Sequence, residues 1–420
     1  MNTVCMYFEV HQPHRLRPYG FFDIGANPYY VDEEKNRAIM RKVADKCYMP
    51  ATELLLELCE RHGEEFRCTF SISGTALEQM KQWRPDVLDN FKRLADTGNV
   101  EFLSETYYHS LAALFSEKEF RAQVEEHTAL MERELGVRPR AFRNTELIFS
   151  NHVAWLAQEL GYQTILMEGV ERVLDWRSPN FVYRHAMNPD LKILLKNYKL
   201  SDDIAFRFSD RNWSEFPLHA EKFASWVHAH EGEGEVFNLF MDFETFGEHQ
   251  WEDSGIFDFL RSMPEMILRH PEFRFLTVSE TAEAHQPVGE IESHEPVSWA
   301  DTERDISAWL GNSLQQQAVR SLYELENDIH TRGREKDLQV FRRLQTSDHF
   351  YYMCTKYFND GDVHKYFSPY ESPYDAYVYF MNILQDFRQR LPATQEEATP
   401  PLPGSSVESR NADLNASILQ

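Results

Sequence analysis

Paired cysteines, long apolar runs and a surplus of basic residues are all missing from this chain of 420 residues. Its five cysteines, at 5, 47, 59, 68 and 354, are odd in number and form no C-x-x-C pair. That argues against a disulfide frame and a cysteine zinc site, and predicts buried thiols in a reducing, cytoplasmic compartment. No apolar stretch approaches the roughly 18 residues of a membrane span, so none is expected. The first residues, Met1-Asn2-Thr3-Val4-Cys5-Met6-Tyr7-Phe8, lack the basic region and small-residue cleavage site of a signal peptide. They read instead as a first core strand. Basic residues are outnumbered, 43 Lys and Arg against 68 Asp and Glu, for a net charge of −25. Such a surface repels nucleic-acid phosphates and anionic membranes and favours a neutral or cationic partner. Lysine is scarcest, 13 against 30 arginines. Acid excess with little lysine suits solubility in concentrated salt, although ordinary acidic proteins share it.

What the chain does have is core-forming material: 30 Phe, 19 Tyr and a hydrophobic fraction of 42%. Short apolar runs at 4–10, 67–73, 99–105, 140–143, 163–168, 191–196 and 235–243 read as strands, with a shorter one at 274–277. Helical patterns fall at 33–61, 76–96, 117–136, 150–160, 214–230 and 256–270. Ser116 with Glu119 has the capping-box pattern at the start of the third. Helices alternating with apolar strands predict a parallel sheet, and seven or eight strands suggest a barrel more than an open sheet. The barrel is expected over 1–285. His285-Gln286-Pro287-Val288-Gly289-Glu290 reads as a linker into a mainly helical region, 286–392, punctuated by Gly361, Pro369 and Pro373. Residues 393–420 lack periodicity and are expected to be a disordered tail. Oligomeric state is not legible.

Chemistry-bearing residues collect where strands end. The run Val236 to Met241 leads into Asp242, Glu244, Glu248 and His249, and by strand alternation Asp242 and Glu244 are expected to share one face, with Met241 and Phe243 on the other. Taken alone, an acid pair after a strand is an ordinary solvated loop. Four other strand ends carry similar groups: Tyr7, Glu9 and His11 on one face of the first strand; Ser73-Gly74-Thr75; Glu101, Glu105, Tyr107, Tyr108 and His109; and Arg143-Asn144-Thr145-Glu146. In a barrel all of these converge at one mouth.

In order and spacing, HQP at 11–13, GNVEFLSETYYHS at 98–110, FRNTELIF at 142–149 and MDFETFGEH at 241–249 resemble the motifs of glycoside hydrolase family 57, the α-amylase-like retaining enzymes. A fifth motif corresponds to QTSDHFYYM at 345–353. The resemblance implies an incomplete (β/α)7 barrel with a C-terminal helical extension and an α-glucan substrate. It makes Glu146 the nucleophile and Asp242 the general acid/base, and places His11, Glu105, His109 and Asp348 around the sugar. No metal or other cofactor is needed. Many members carry Trp after the acid of the fifth motif; here it is His349. The residues suit the chemistry: retaining hydrolysis needs two carboxyl groups about 5–5.5 Å apart, one ionised and one protonated. Arg143 is placed to favour the charged form of Glu146, and Glu244 to raise Asp242. Trp251, beside His249, offers a face for a pyranose ring. The closest variant activity is 4-α-glucanotransferase, which shares the intermediate. Two alternatives belong to other classes. One is a metal-dependent carbohydrate deacetylase with zinc on His11, His109 and His249, against which no two of these stand at ligand spacing and Glu146 has no role. The other is a non-catalytic glycan-binding protein, against which both carboxyl groups are present.

Overall fold

The computed structural model describes residues 1–356 and 368–392. The expected tail at 393–420 and Gly361 lie outside the described residues. Among the described residues nine strands form: β1 (Asn2–Val10), β2 (Cys68–Ile72), β3 (Val100–Phe102), β4 (Thr164–Glu168), β5 (Tyr183–His185), β6 (Lys192–Lys196), β7 (Val236–Asp242), β8 (Phe273–Phe275) and β9 (Glu290–Ile291). One sheet runs β3-β2-β1-β7, with β8 also on β1, and all its pairs are parallel. The other runs β4-β6-β5-β9, with β5 antiparallel to β6. Parallel strands separated by helices make this an α/β protein.

Main-chain bonds link the two sheets at both ends. Phe142 bridges Ser104 on one side and Ile165 on the other, both parallel. Opposite, the Asn197 N–H donates to the Asn238 carbonyl at 2.9 Å. The expected strand at 140–143 therefore shrinks to this bridging segment, because the chain turns at once into the 3-10 turn Thr145–Leu147. β1 is buried along its length, as a strand covered on both faces must be. Its Val4, Met6, Phe8 and Val10 pack under the helices with Phe70 and Phe243, while Cys5 and Tyr7 face a smaller cluster with Leu103, Ala141, Leu166, Leu194 and Phe240.

The helical segments differ from the sequence pattern in instructive places. The stretch expected at 76–96 is two helices, Gly74–Trp83 and Pro85–Asp96, because Pro85 has no N–H to continue the first and suits the start of the second. The stretch expected at 33–61 is interrupted by a π-helical turn, Ala44–Tyr48. At Ser116 the hydroxyl caps the helix Glu117–Leu135 by accepting from the Glu119 N–H. The Glu119 carboxylate instead turns inward to Arg342 (3.0 Å), His330 (2.9 Å) and Gln345 (3.1 Å), tying this helix to the carboxyl-terminal region.

His285–Glu290 is not a linker. Arg184 N–H donates to the Gly289 carbonyl and Val288 N–H to that of Val182, and β9 extends the second sheet alongside β5. Beyond it come helices Ser307–Leu310, Ser313–Tyr323, Glu326–Arg332, Glu335–Leu344, Ser347–Tyr351 and Pro373–Arg390. These share a core with Leu16, Tyr19 and Tyr30 from the loop after β1. The helical region is thus packed onto the strand-end side. Among the described residues no helix is long and apolar enough to cross a membrane.

Candidate active site

The carboxyl ends of β1, β2, β3 and β7 deliver Glu9, His11, Ser73, Glu105, His109 and Asp242 to one region, and the turn after Phe142 adds Arg143 and Glu146. A hydrogen-bonded chain joins most of them. Glu105 Oε2 lies 2.9 Å from His109 Nδ1, and His109 Nε2 lies 3.1 Å from Glu146 Oε1. The His109 ring stacks on His11 at 4.0 Å. His11 in turn bonds Ser73 Oγ through Nδ1 (2.7 Å) and Asp348 Oδ2 through Nε2 (2.9 Å). Asp348 comes from the helix Ser347–Tyr351, so the carboxyl-terminal region reaches the site.

Glu146 is held on both oxygens. His109 takes Oε1, and the Trp299 indole N–H donates to Oε2 at 2.8 Å. Its backbone sits in the left-handed region (φ 57°, ψ 29°), as do those of Leu147 (φ 49°) and His109 (φ 49°). For residues with a Cβ this costs about 1 kcal/mol or more each. The turn holds them there through the Leu147 N–H to the Asn144 carbonyl and the Asn144 side-chain amide to the Ile148 carbonyl.

Arg143 lies underneath. Its Nη1 is 3.1 Å from Glu9 Oε2, and its guanidinium is 5.0 Å from the centre of the Trp299 ring. It makes no direct contact with Glu146 comparable to those of His109 and Trp299; its positive charge acts at a distance. The charge of Arg143 and then that of His109, with hydrogen bonds from the Tyr7 (2.6 Å) and Ser71 (2.7 Å) hydroxyls, outweigh burial and hold the Glu9 carboxyl below the usual range. Burial opposes a charge on His109 too, but its bonds to Glu105 and Glu146 lift the imidazole to about 10, so both ring nitrogens donate. His11 is lowered by burial and by cationic His109, which leaves it neutral at pH 7.

Asp242 ends β7 opposite Glu9 in the β1 register. Burial, with the Glu146 carboxylate and then Glu9 adding repulsion, pushes its pKa up to about 7. The strand alternation stops there, because Phe243–Thr245 is a 3-10 turn. Glu244 turns to the π-helical segment, accepting from the Tyr48 hydroxyl and from Gln12 Nε2 at 3.3 Å. Burial and then Asp242 raise Glu244 to about 8. Two adjacent carboxyl groups coexist here because one is largely protonated at neutral pH.

Other expected site residues sit further out. His249 is lowered to about 4 by burial, with Glu248 opposing the shift and Lys42 adding to it. Trp251 is exposed, with Lys46 5.6 Å from its ring centre. His349 is buried, and its Nε2 bonds the Arg343 carbonyl, so this position presents no sugar platform. The zinc set His11, His109 and His249 is not assembled as one cluster. Among the described residues, the three donors grouped as a metal site would need are Glu9, Glu105 and His109, within 4.8 Å of one another. Arg143 and cationic His109 already offset those carboxyl charges, which makes the donor set a poor fit for a dication.

Glu9 was legible through its alternation with Tyr7 and His11, whereas Trp299, in a loop without motif or periodicity, gave no signal. Asp348→Ala is expected to lower turnover or raise KM severalfold while shifting the melting temperature by only a few degrees, because the acid is partly solvated and bonds chiefly His11. Unchanged steady-state kinetics on maltoheptaose would remove Asp348 from the site.

Comparison with known proteins places this arrangement. The profile of glycosyl hydrolase family 57 matches residues 5–294. A protein of Methanocaldococcus jannaschii named "putative alpha-amylase" is 45% identical over 401 residues, covering 91% of this chain and 84% of its own. Among solved structures, a family 57 branching enzyme from Thermococcus kodakaraensis superposes with a TM-score of 0.68 at 13% identity, covering 92% of this chain and 90% of that one. A 4-alpha-glucanotransferase from Thermococcus litoralis superposes with a TM-score of 0.63 at 16% identity, covering 92% and 60%. At such identities the superpositions speak for the fold alone.

Proposed function

This chain belongs to glycosyl hydrolase family 57, and from that membership we propose that it cleaves α-1,4-linked glucans with retention of configuration, as an α-amylase-type enzyme. Glu146 attacks the anomeric carbon to form a glycosyl ester, while Asp242 donates its proton to the leaving oxygen. Asp242 then takes a proton from the incoming water as the ester is cleaved. The observation that carries this reading is the asymmetry of the pair. Glu146 is held by a donor on each oxygen, whereas Asp242 is raised to about 7 by burial and by Glu146. A proton NMR time course on a maltooligosaccharide tests it: the α-anomer must appear first, and initial release of the β-anomer would overturn it.

The basic limb of kcat/KM should fall as pH rises through about 7, because Asp242 must be protonated to donate. A profile flat to well above pH 9 would assign the acid to another group, since about 9 lies far beyond such a limb.

The same reading treats the seven core strand positions as an incomplete (β/α)7 barrel. Support comes from the Phe142 bridges and the β6–β7 bond, which join the sheets at both ends. Residues 1–285 then form the catalytic barrel and 286–392 the part that completes its mouth, supplying Trp299 and Asp348. Five free, buried cysteines support residence in a reducing cytoplasm. Hydrolysis and transfer share the glycosyl ester, so products longer than maltoheptaose would assign 4-α-glucanotransferase activity instead.

A further inference from the structure

Trp299 lies beyond the matched family region, which ends at residue 294, and 153 residues along the chain from Glu146. It nevertheless touches Glu146 twice. The indole N–H donates to Oε2 at 2.8 Å, and the main-chain N–H reaches the Glu146 carbonyl oxygen at 3.4 Å. With His109 on Oε1, each carboxylate oxygen is held by a donor from a different part of the fold. That fixes the rotation of the carboxylate as well as its position.

The indole is itself held. Arg143 and Lys196 lie 5.0 and 5.4 Å from its ring centre, where cations are attracted to the electron-rich face. The segment 297–304 that carries it is fastened at both ends. Val297 and Phe149 exchange two main-chain bonds of 2.9 Å, and the Arg304 guanidinium reaches buried Glu168 at 3.0 Å and lies 4.0 Å from the Tyr198 ring centre. Asp301 and Arg304 both adopt left-handed backbone conformations (φ 55° and 51°), so the strap holds a shape its residues do not favour.

We infer that Trp299 is a positioning residue for the reaction: delivered by the strap 297–304, its indole N–H orients the Glu146 carboxylate for attack. This rests on Glu146 being the nucleophile. Near-attack geometry is sensitive to small misplacements, and a bond to a charged group is among the stronger single contacts. A variant that keeps an aromatic ring but lacks the donor should therefore lose rate more than affinity.

The test compares native enzyme with Trp299→Phe, using maltoheptaose for steady-state kinetics and 5-fluoro-α-glucosyl fluoride as a trapping probe. In trapping, a Glu146 oxygen bonds the anomeric carbon as fluoride leaves, and peptide mass spectrometry locates the label. Expected are a label on Glu146 in native enzyme, labelling and kcat about 10- to 100-fold slower in Trp299→Phe, and KM within about threefold. Native enzyme labelled on Glu146 with equal rates in the variant overturns the role of Trp299 and leaves the nucleophile in place. A native label on another residue overturns the nucleophile assignment and this inference with it. If Trp299→Phe does not fold, Trp299→Met, which also lacks a donor, takes its place, with a slower rate again expected and native rates overturning the inference. A fall in melting temperature with kcat and labelling unchanged counts as a purely structural role and overturns it too.

Discussion

Glu146→Gln and Asp242→Asn are each expected to reduce turnover of an α-1,4-glucan by about ten-thousand-fold or more, with the folded state retained. Both substitutions keep size and shape, so the packing around β7 and the Thr145–Leu147 turn has little reason to change, although an amide at position 146 can accept from only one of the two donors that hold Glu146. What they remove differs. In Glu146→Gln the amide cannot form a glycosyl ester, although the oxygen facing Trp299 can still accept its N–H. In Asp242→Asn the group raised to about 7 is replaced by one that does not exchange its proton, and protonation of the leaving oxygen fails. The two act on one step, so the double variant should be no worse than the poorer single one. Azide added to Glu146→Gly should restore product of inverted configuration. Activity above about a tenth of native in Glu146→Gln would withdraw the assignment, since loss of a nucleophile costs far more.

The second large effect concerns stability. Arg143→Met is expected to destabilise the protein by about 3–5 kcal/mol, measured by denaturant unfolding, because breaking a buried ion pair leaves the partner charge uncompensated. Arg143 is fully buried, and its loss would leave Glu9 with the Tyr7 and Ser71 hydroxyls and with His109, whose Nδ1 is 3.5 Å from Oε1, but without its largest compensating charge. Met fills a similar volume, which limits any cavity contribution. Glu9→Gln with Arg143→Met should recover much of the loss, since the double change removes both charges. If the single variant lost less than about 1 kcal/mol, the pair would count as replaceable packing.

The positions of the core strands were legible because burial on both faces imposes continuous apolar runs, as in Val236 to Met241. The residues gathered at their ends were legible too, through the alternation of Tyr7, Glu9 and His11 and through the family resemblance. Other features depend on contacts distant along the chain, which periodicity does not encode. Glu119 has the local pattern of a capping box, yet its carboxylate is drawn to Arg342, 223 residues away. Glu244 follows the strand pattern in sequence, but the 3-10 turn redirects it to Tyr48 on a π-helical segment that no propensity signals. The segment 285–290 reads as a linker because Pro287 and Gly289 punctuate it; it leads into the short edge strand β9, whose pairing with β5 is a contact that local pattern does not encode.

The strap 297–304 also bears on how this molecule can change by descent. The proposed nucleophile and the group proposed to orient it are inherited through segments 153 residues apart, and the later one lies past the end of the matched family region. Recombination between relatives near residue 294 would transmit every recognisable barrel motif while exchanging the strap. Offspring of such an exchange would fold around the correct carboxyl pair and still turn over slowly unless the incoming segment carried its own donor at the same place. Selection would then act on the two segments as a couple, and a library of crossovers should show survivors depleted between residues 149 and 299.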